Sequence, residues 1–263
     1  MGFDVERVTA ECVKWIQDWF AAVNPTGNAV VGISGGKDSS VVAALCAKAL
    51  GKERVVGVLM PNGEQKDISD SRKIVEHLGI KYVEVNIADA YDGILNGIQN
   101  GVFGNTSDDW NGITCSEQTL INVAPRIRMT TLYAVGQSVN GMVANTCNLS
   151  EDHVGYSTLF GDYSGSFSPL GKLTVTEVRA IGKYLELPID LVDKAPSDGL
   201  CGKTDEDNLG FTYAELDVYL RTGVIENLEH KEKIDRMYKR NKFKLELIHI
   251  PTYDPKIEIK IEH

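Results

Sequence analysis

The residues best suited to chemistry lie in one short stretch, Ser34-Gly35-Gly36-Lys37-Asp38-Ser39. Two adjacent glycines let the backbone turn sharply and approach a ligand closely. Backbone N–H groups at the start of a helix, with hydroxyls from Ser34, Ser39 and Ser40, then converge on one spot where the helix dipole favours an anion. Residues Gly32, Ile33, Ser34, Gly35, Gly36, Lys37, Asp38 and Ser39 therefore read as a phosphate cradle. It is not a Walker loop, because Gly32 to Gly36 is too short and Asp38 stands where that loop carries Ser or Thr. The dinucleotide fingerprint G-x-G-x-x-G is absent as well. An acid inside an anion loop makes sense when a cation sits between it and the phosphates, which makes Asp38 a magnesium candidate. The plainer reading is a glycine-rich strand-to-helix turn with no ligand. A second acid, Glu151, ends Thr146-Cys-Asn-Leu-Ser-Glu151. It leaves the end of a strand on the same edge as the cradle and so can face Asp38. An acid there also serves as an ordinary first-turn helix residue.

These positions depend on the elements around them. Ala29 to Ile33 is an apolar run that reads as a strand buried on both faces, and Ser40 to Leu50 reads as the helix covering it. Val5 to Val23 is an amphipathic helix. Arg54 to Met60 reads as a second buried strand, Ser69 to Leu78 as a helix capped by Gly79, and Lys81 to Asn86 as an alternating third strand. Ser116 to Val135 predicts a long helix that Pro125 kinks or restarts, and Gly141 to Asn145 a fourth strand. Strands alternating with helices predict an α/β fold, a doubly wound and mainly parallel sheet with helices on both faces. Ligands in such sheets sit beyond the strand C-termini where strand order reverses, and the cradle lies there.

The whole chain, residues 1–263, is expected to form a single domain with flexible loops near 92–112, 158–170 and 197–210 and a tail over 245–263. The first of these carries interleaved Gly and Asn residues, and the third is polar and acidic. The third reads either as a lid over a nucleotide or as a connector. Thr174-Val-Thr-Glu177 and Thr212-Tyr-Ala-Glu215 predict capping boxes. Lys231 to Lys244 holds seven basic residues, which suits a polyanionic ligand or a solvated helix face equally.

The chain has 263 residues, 43% of them hydrophobic, and a formal net charge of −10. That balance argues against a nucleic-acid surface. No apolar run reaches the roughly 18 residues of a membrane span, and no secretory leader opens the sequence. Five scattered cysteines without a Cys-x-x-Cys predict reduced thiols and a cytoplasmic setting.

Ser34-Gly-Gly-Lys-Asp-Ser39 resembles the pyrophosphate loop of the ATP pyrophosphatases, which has an adenine nucleotide alpha hydrolase-like fold. Further ordered matches follow: Pro125-Arg-Ile-Arg-Met129, Asn145-Thr-Cys-Asn-Leu-Ser-Glu151, Gly155-Tyr-Ser-Thr158, Gly161-Asp162, Thr176-Glu-Val-Arg179, Pro196-Ser-Asp-Gly-Leu200 and Thr204 to Gly210. Together they resemble ammonia-dependent NAD synthetase over most of the chain. The resemblance implies a homodimeric ligase that adenylates the nicotinate carboxylate of deamido-NAD with ATP. Ammonia then displaces AMP. It implies ATP contacts at residues 32–39, Met60, Thr146 and Ser197, magnesium on Asp38 and Glu151, and deamido-NAD contacts at Arg126, Asp162 and Lys239. Asp38 and Glu151 would be the catalytic acids. Three positions depart from the family pattern: Leu159 and Val175 replace lysines, and Ser166 replaces an aspartate. Lys172 or Lys203 is a candidate to supply the missing charge. No glutaminase segment accompanies the chain, so free ammonia is the expected donor. Two other readings stand beside this one, an adenylating ligase with a different acceptor and a non-catalytic ATP-binding domain.

Overall fold

The computed structural model describes residues 2–101, 113–194, 204–258 apart from 248 and 249, and residue 260, leaving aside residue 259. Helix α1 (Val5–Val23) precedes strand β1 (Asn28–Gly32), helix α2 (Lys37–Leu50), strand β2 (Val55–Leu59), helix α3 (Ile68–Leu78) and strand β3 (Lys81–Glu84). Helices α4 (Ala88–Gln99) and α5 (Glu117–Ser138) lead to strand β4 (Gly141–Val143) and helix α6 (Leu149–Val154). Helices α7 (Val175–Tyr184), α8 (Ile189–Val192), α9 (Asp205–Leu209), α10 (Tyr213–Thr222) and α11 (Leu228–Leu247) follow.

All strand pairs are parallel, in the order β3-β2-β1-β4. Order reverses between β1 and β4, where Val30 lies opposite Val143. Successive β1 side chains point to opposite faces. Ala29, Val31 and Ile33 pack with α1 and α2, whereas Val30 joins Val58, Ala124 and Ile127 under α4 and α5. Helices therefore cover both faces, as the doubly wound reading requires. A further cluster gathers Val154, Val175, Tyr213, Leu216 and Ile234 between α6, α7, α10 and α11.

Several expectations change. Helix α2 begins at Lys37 rather than Ser40, so Lys37 and Asp38 occupy its first turn. Residues 92–99, expected as loose loop, belong to α4, because Tyr91 and Leu95 bury against the core and outweigh the helix cost of Gly93 and Gly97. Residues 102–112 lie outside the described residues. Helix α5 is continuous through Pro125. Residues 158–170 form no regular helix or strand but pack firmly, with Phe167 and Leu170 fully buried. Residues 205–209, expected as loop, are α9, started by a capping box between Thr204 and Asp207. The Thr174–Glu177 box forms as expected. At Thr212 only half of the box forms: Thr212 Oγ1 accepts the Glu215 N–H, while the Glu215 carboxylate turns to His230 Nδ1 at 2.7 Å.

The expected tail is also partly structural. Residues 245–247 finish α11, and Tyr253 is buried against α1, 5.9 Å from the Trp15 ring. Phe167 completes this aromatic group by stacking on Trp19 at 4.8 Å.

Candidate functional site

The segments following β1 and β4 leave neighbouring strands at the same sheet edge, so the strand-order reversal brings them together. After β1 the chain turns through Gly35, whose φ of +80° is a left-handed conformation. A Cβ there would come 2.7 Å from Asp70 Cβ and 2.8 Å from the Ser71 nitrogen, so α3 leaves room for glycine alone. Ser39 Oγ accepts the Ser34 N–H at 3.2 Å, and Ser40 Oγ donates to the Gly36 carbonyl at 2.7 Å. These bonds fix the loop into the first turn of α2.

After β4, Asn148 caps α6. Its Oδ1 accepts the Glu151 N–H at 3.1 Å, and Glu151 Oε2 accepts the Asn148 N–H at 3.4 Å. The remaining Asn148 amide donates across the cleft to Asp38 Oδ1 at 3.0 Å. Lys37 Nζ lies 2.7 Å from Asp38 Oδ2 and 3.9 Å from Glu151 Oε1. The expected pair, Asp38 and Glu151, is thus joined by a shared asparagine and a shared lysine.

The electrostatics are tight. Lys37 is 4% exposed. Burial alone would depress its pKa, yet Asp38 and Glu151 outweigh that and hold the ammonium above its ordinary value. Glu151 is pushed well above the carboxylate range, first by burial and then by the charge of Asp38, with Lys37 opposing. Its anionic form therefore has less countercharge than it needs. Two facing carboxylates suit magnesium, which takes one or two protein carboxylates and completes its octahedron with water and phosphate oxygens. Among the described residues no group of three or more His, Cys, Asp or Glu is set to hold a metal, so phosphate and water oxygens would have to complete this one.

The other expected site residues divide. Met60 is buried at the end of β2, and its carbonyl accepts from Arg128 Nε at 3.1 Å. Arg128, part of the Pro125 to Met129 match but given no contact from the sequence, is thereby held at the strand ends beside the charge of Asp162. Thr146 is half-buried in the segment after β4. Arg126 is exposed and donates from Nε to the Leu159 carbonyl at 3.3 Å, while Asp162 accepts the Thr158 N–H at 2.9 Å. Lys239 is exposed on α11 and joins none of these bonds. Ser197 and Lys203 lie outside the described residues.

The departures from the family pattern have clear settings. Val175 is a core residue, 1% exposed, whose N–H donates to Ser150 Oγ at 3.2 Å. Lys172, a candidate to supply a missing charge, pairs with Asp254 at 3.0 Å. Ser166 is half-buried, with its N–H on the Val143 carbonyl at 2.7 Å.

A family model described as NAD synthase matches residues 8–248. The chain belongs to the NAD synthase family. It is 37% identical over 253 residues to the NH(3)-dependent NAD(+) synthetase of Carboxydothermus hydrogenoformans, an alignment covering 95% of this chain and 99% of the relative. Among solved structures, the NMN synthetase of Francisella tularensis superposes with a TM-score of 0.83 at 33% identity, covering 95% of this chain and 99% of that one. The NH3-dependent NAD synthetase of Campylobacter jejuni gives 0.72 at 28% identity, with the same coverage. As an NAD synthase the chain is a ligase of NAD biosynthesis, making a C–N bond with ATP as co-substrate.

Proposed function

We infer that the chain amidates deamido-NAD with ammonia, consuming ATP and releasing AMP and pyrophosphate. The observation that carries this reading is the meeting of Asp38 and Glu151 around Lys37 and Asn148, at the cleft end of a family member. A carboxylate is a poor electrophile. Adenylation gives the nicotinate carboxyl a leaving group and removes its charge before ammonia attacks. Residues 32–39 would hold the ATP phosphates, with Met60 and Thr146 beside the nucleotide and Ser197 at a further ATP contact. Asp38 and Glu151 would carry magnesium, which when bound neutralises the departing pyrophosphate. Lys37 adds a fixed cation next to them. Arg126, Asp162 and Lys239 would meet the acceptor.

A homodimer fits the surface. Tyr82 and Val83 are 47% and 38% exposed on edge strand β3, beside a groove that Val135 of α5 and Val139 just past its end continue. Ile94, Leu120 and Ile121 add exposed apolar area on α4 and α5. Such a patch suits a second copy of the chain. Among the described residues no helix is long and apolar enough to cross a membrane. Buried free thiols at Cys12 and Cys46 agree with a cytoplasmic setting.

One test is to supply purified protein with ATP, magnesium, ammonium and deamido-NAD and to follow AMP. Acceptor-dependent AMP and pyrophosphate are expected; formation of ADP, or turnover indifferent to the acceptor, would refute the reading. A second acceptor is worth naming. The Francisella tularensis NMN synthetase has the higher TM-score of the two structures above, and Leu159 and Ser166 both fall in the acceptor half. Nicotinate mononucleotide is therefore the competing acceptor, and comparing kcat/KM for the two substrates decides between them.

A further inference from the structure

Among the described residues, Asn140, Phe160, Glu186 and Lys256 are the non-glycines at positive φ, and Phe160, at +57°, is the one aromatic. A bulky side chain in the left-handed region is strained, and such strain persists only where the surroundings impose it. They impose it here. The Thr158 carbonyl accepts the Gly161 N–H at 2.9 Å and the Tyr163 N–H at 3.3 Å, which closes the turn around Phe160. The Thr158 N–H donates to Asp162 Oδ1 at 2.9 Å. Two bonds tie the turn to α5: Thr158 Oγ1 donates to Asn122 Oδ1 at 2.8 Å, and the Leu159 carbonyl accepts from Arg126 Nε at 3.3 Å. A Cβ on Gly161 would come 2.9 Å from Pro125 Cβ, so the turn lies pressed onto that helix. On its other side the Asp162 carbonyl accepts from Asn145 Nδ2 at 3.2 Å and Cys147 Sγ at 3.5 Å, in the segment that leads to Asn148 and Glu151. Phe160 gains little burial from all this bonding and is 52% exposed. The fold holds an unfavourable backbone and leaves an aromatic ring in the open, on the turn that carries Asp162 and anchors Arg126, both exposed as well.

A guanidinium, an aromatic face and a carboxylate on one tied turn complement a particular kind of ligand, an anionic carboxyl carried on a cationic aromatic ring. The guanidinium suits the carboxyl, while the aromatic face and the carboxylate attract the ring's positive charge. We propose that Phe160 is a binding residue for the acceptor, laying its ring against the pyridinium of the nicotinate nucleotide. This rests on the reading of the chain as an enzyme that amidates such a nucleotide. It holds for deamido-NAD and nicotinate mononucleotide alike, because both carry that ring. Phe160 makes and breaks no bond. It orients the ring whose carboxyl is adenylated, and a turn already fixed without ligand needs no ordering when the acceptor arrives.

The test compares the full chain with Phe160→Asn, Phe160→Leu and Phe160→Tyr. Steady-state kinetics give KM for deamido-NAD and for ATP. Inhibition by NAD is set against inhibition by NADH, whose dihydropyridine ring carries no charge. Melting temperature and elution from a sizing column are recorded without ligand. Asparagine tolerates the left-handed backbone, so Phe160→Asn should melt at or above the wild-type temperature. Its KM for deamido-NAD should nevertheless rise about tenfold, while KM for ATP stays within about twofold. The wild type should bind NAD more tightly than NADH, and Phe160→Asn should lose most of that preference. Phe160→Leu should show the same loss, and Phe160→Tyr, which keeps the ring, should behave as the wild type. An unchanged acceptor KM would overturn the proposal, as would equal inhibition of the wild type by NAD and NADH. A lowered melting temperature with every constant impaired alike would overturn it too, and so would a loss that comes with a change of oligomeric state. If Phe160→Asn does not fold, Phe160→Leu decides on the same constants. Wild-type protein that makes no acceptor-dependent AMP would defeat the functional reading itself. An active wild type with an unaffected Phe160→Asn defeats only this inference.

Discussion

Glu151 and Glu177 stand at the same position of two nearly identical local devices. Each is the third residue of its helix, and each bonds back to the N–H of the capping residue, Asn148 or Thr174. What surrounds them differs. Glu177 is met by the Arg221 guanidinium at 2.8 and 2.6 Å, so its charge is cancelled within the protein. Glu151 faces another carboxylate, Asp38, and its nearest cation is 3.9 Å away and already bonded to that carboxylate. The same cap is thus complete in one place and short of positive charge in the other. A sequence motif fixes the helix start in both, while the neighbours decide which acid is structural and which is available to a ligand.

The contrast can be broken most directly at Asp38. Asp38→Ala should lower magnesium-dependent AMP formation at least about a hundredfold, since mutants that lose one charge-stabilising group at a reacting centre fall in that range. Activity near the wild-type level would remove the metal assignment. Glu151→Gln should also abolish most turnover. Because glutamine can keep the reciprocal cap bond, its denaturant midpoint should match or exceed the wild type.

Glu177→Gln should do the reverse. It leaves Arg221 buried without its counter-charge, and breaking a buried pair costs about 3 kcal/mol. Unfolding in urea should register that loss, while turnover of the remaining folded protein changes little. If both glutamine variants behaved alike, the distinction drawn between the two acids would fail.

Asn148→Ala removes a helix cap and should cost about 1 kcal/mol. It also frees Asp38 from its amide donor, so KM for ATP or magnesium should move together with stability.

The smallest effect concerns Asp217, whose carboxylate accepts from Ser150 Oγ at 2.5 Å and the Thr176 N–H at 2.7 Å. Burial raises its pKa above the ordinary aspartate value. A group raised on folding stabilises below its unfolded pKa, and that contribution is lost as pH rises through the folded value. Asp217→Asn should therefore match the wild type in acid and gain on it as pH rises above the ordinary aspartate range. Parallel melting curves across pH would contradict this.

Much of the site was legible because it is local. The Ser34 to Ser39 loop, the capping role of Thr174 and the strand before each cleft segment all follow from neighbours in sequence. The misread parts required knowledge of what packs nearby. Gly93 and Gly97 suggested loop, yet Tyr91 and Leu95 find a core that keeps them helical. Glu215 had the right spacing for a cap, yet His230, on a different helix, claims its carboxylate. Arg128 lies in the Pro125 to Met129 match, but what it does shows only once α5 is laid against the strand ends, where it meets the Met60 carbonyl.

Tyr253 has a consequence for how the molecule is made. Its hydroxyl reaches the Val8 carbonyl at 3.4 Å and Glu11 at 3.3 Å, and its ring lies beside Trp15. The ribosome produces this tyrosine more than two hundred residues after Trp15. Until it arrives, the indole of Trp15 lacks one wall of its slot, so α1 stays unlatched while all the intervening residues are made.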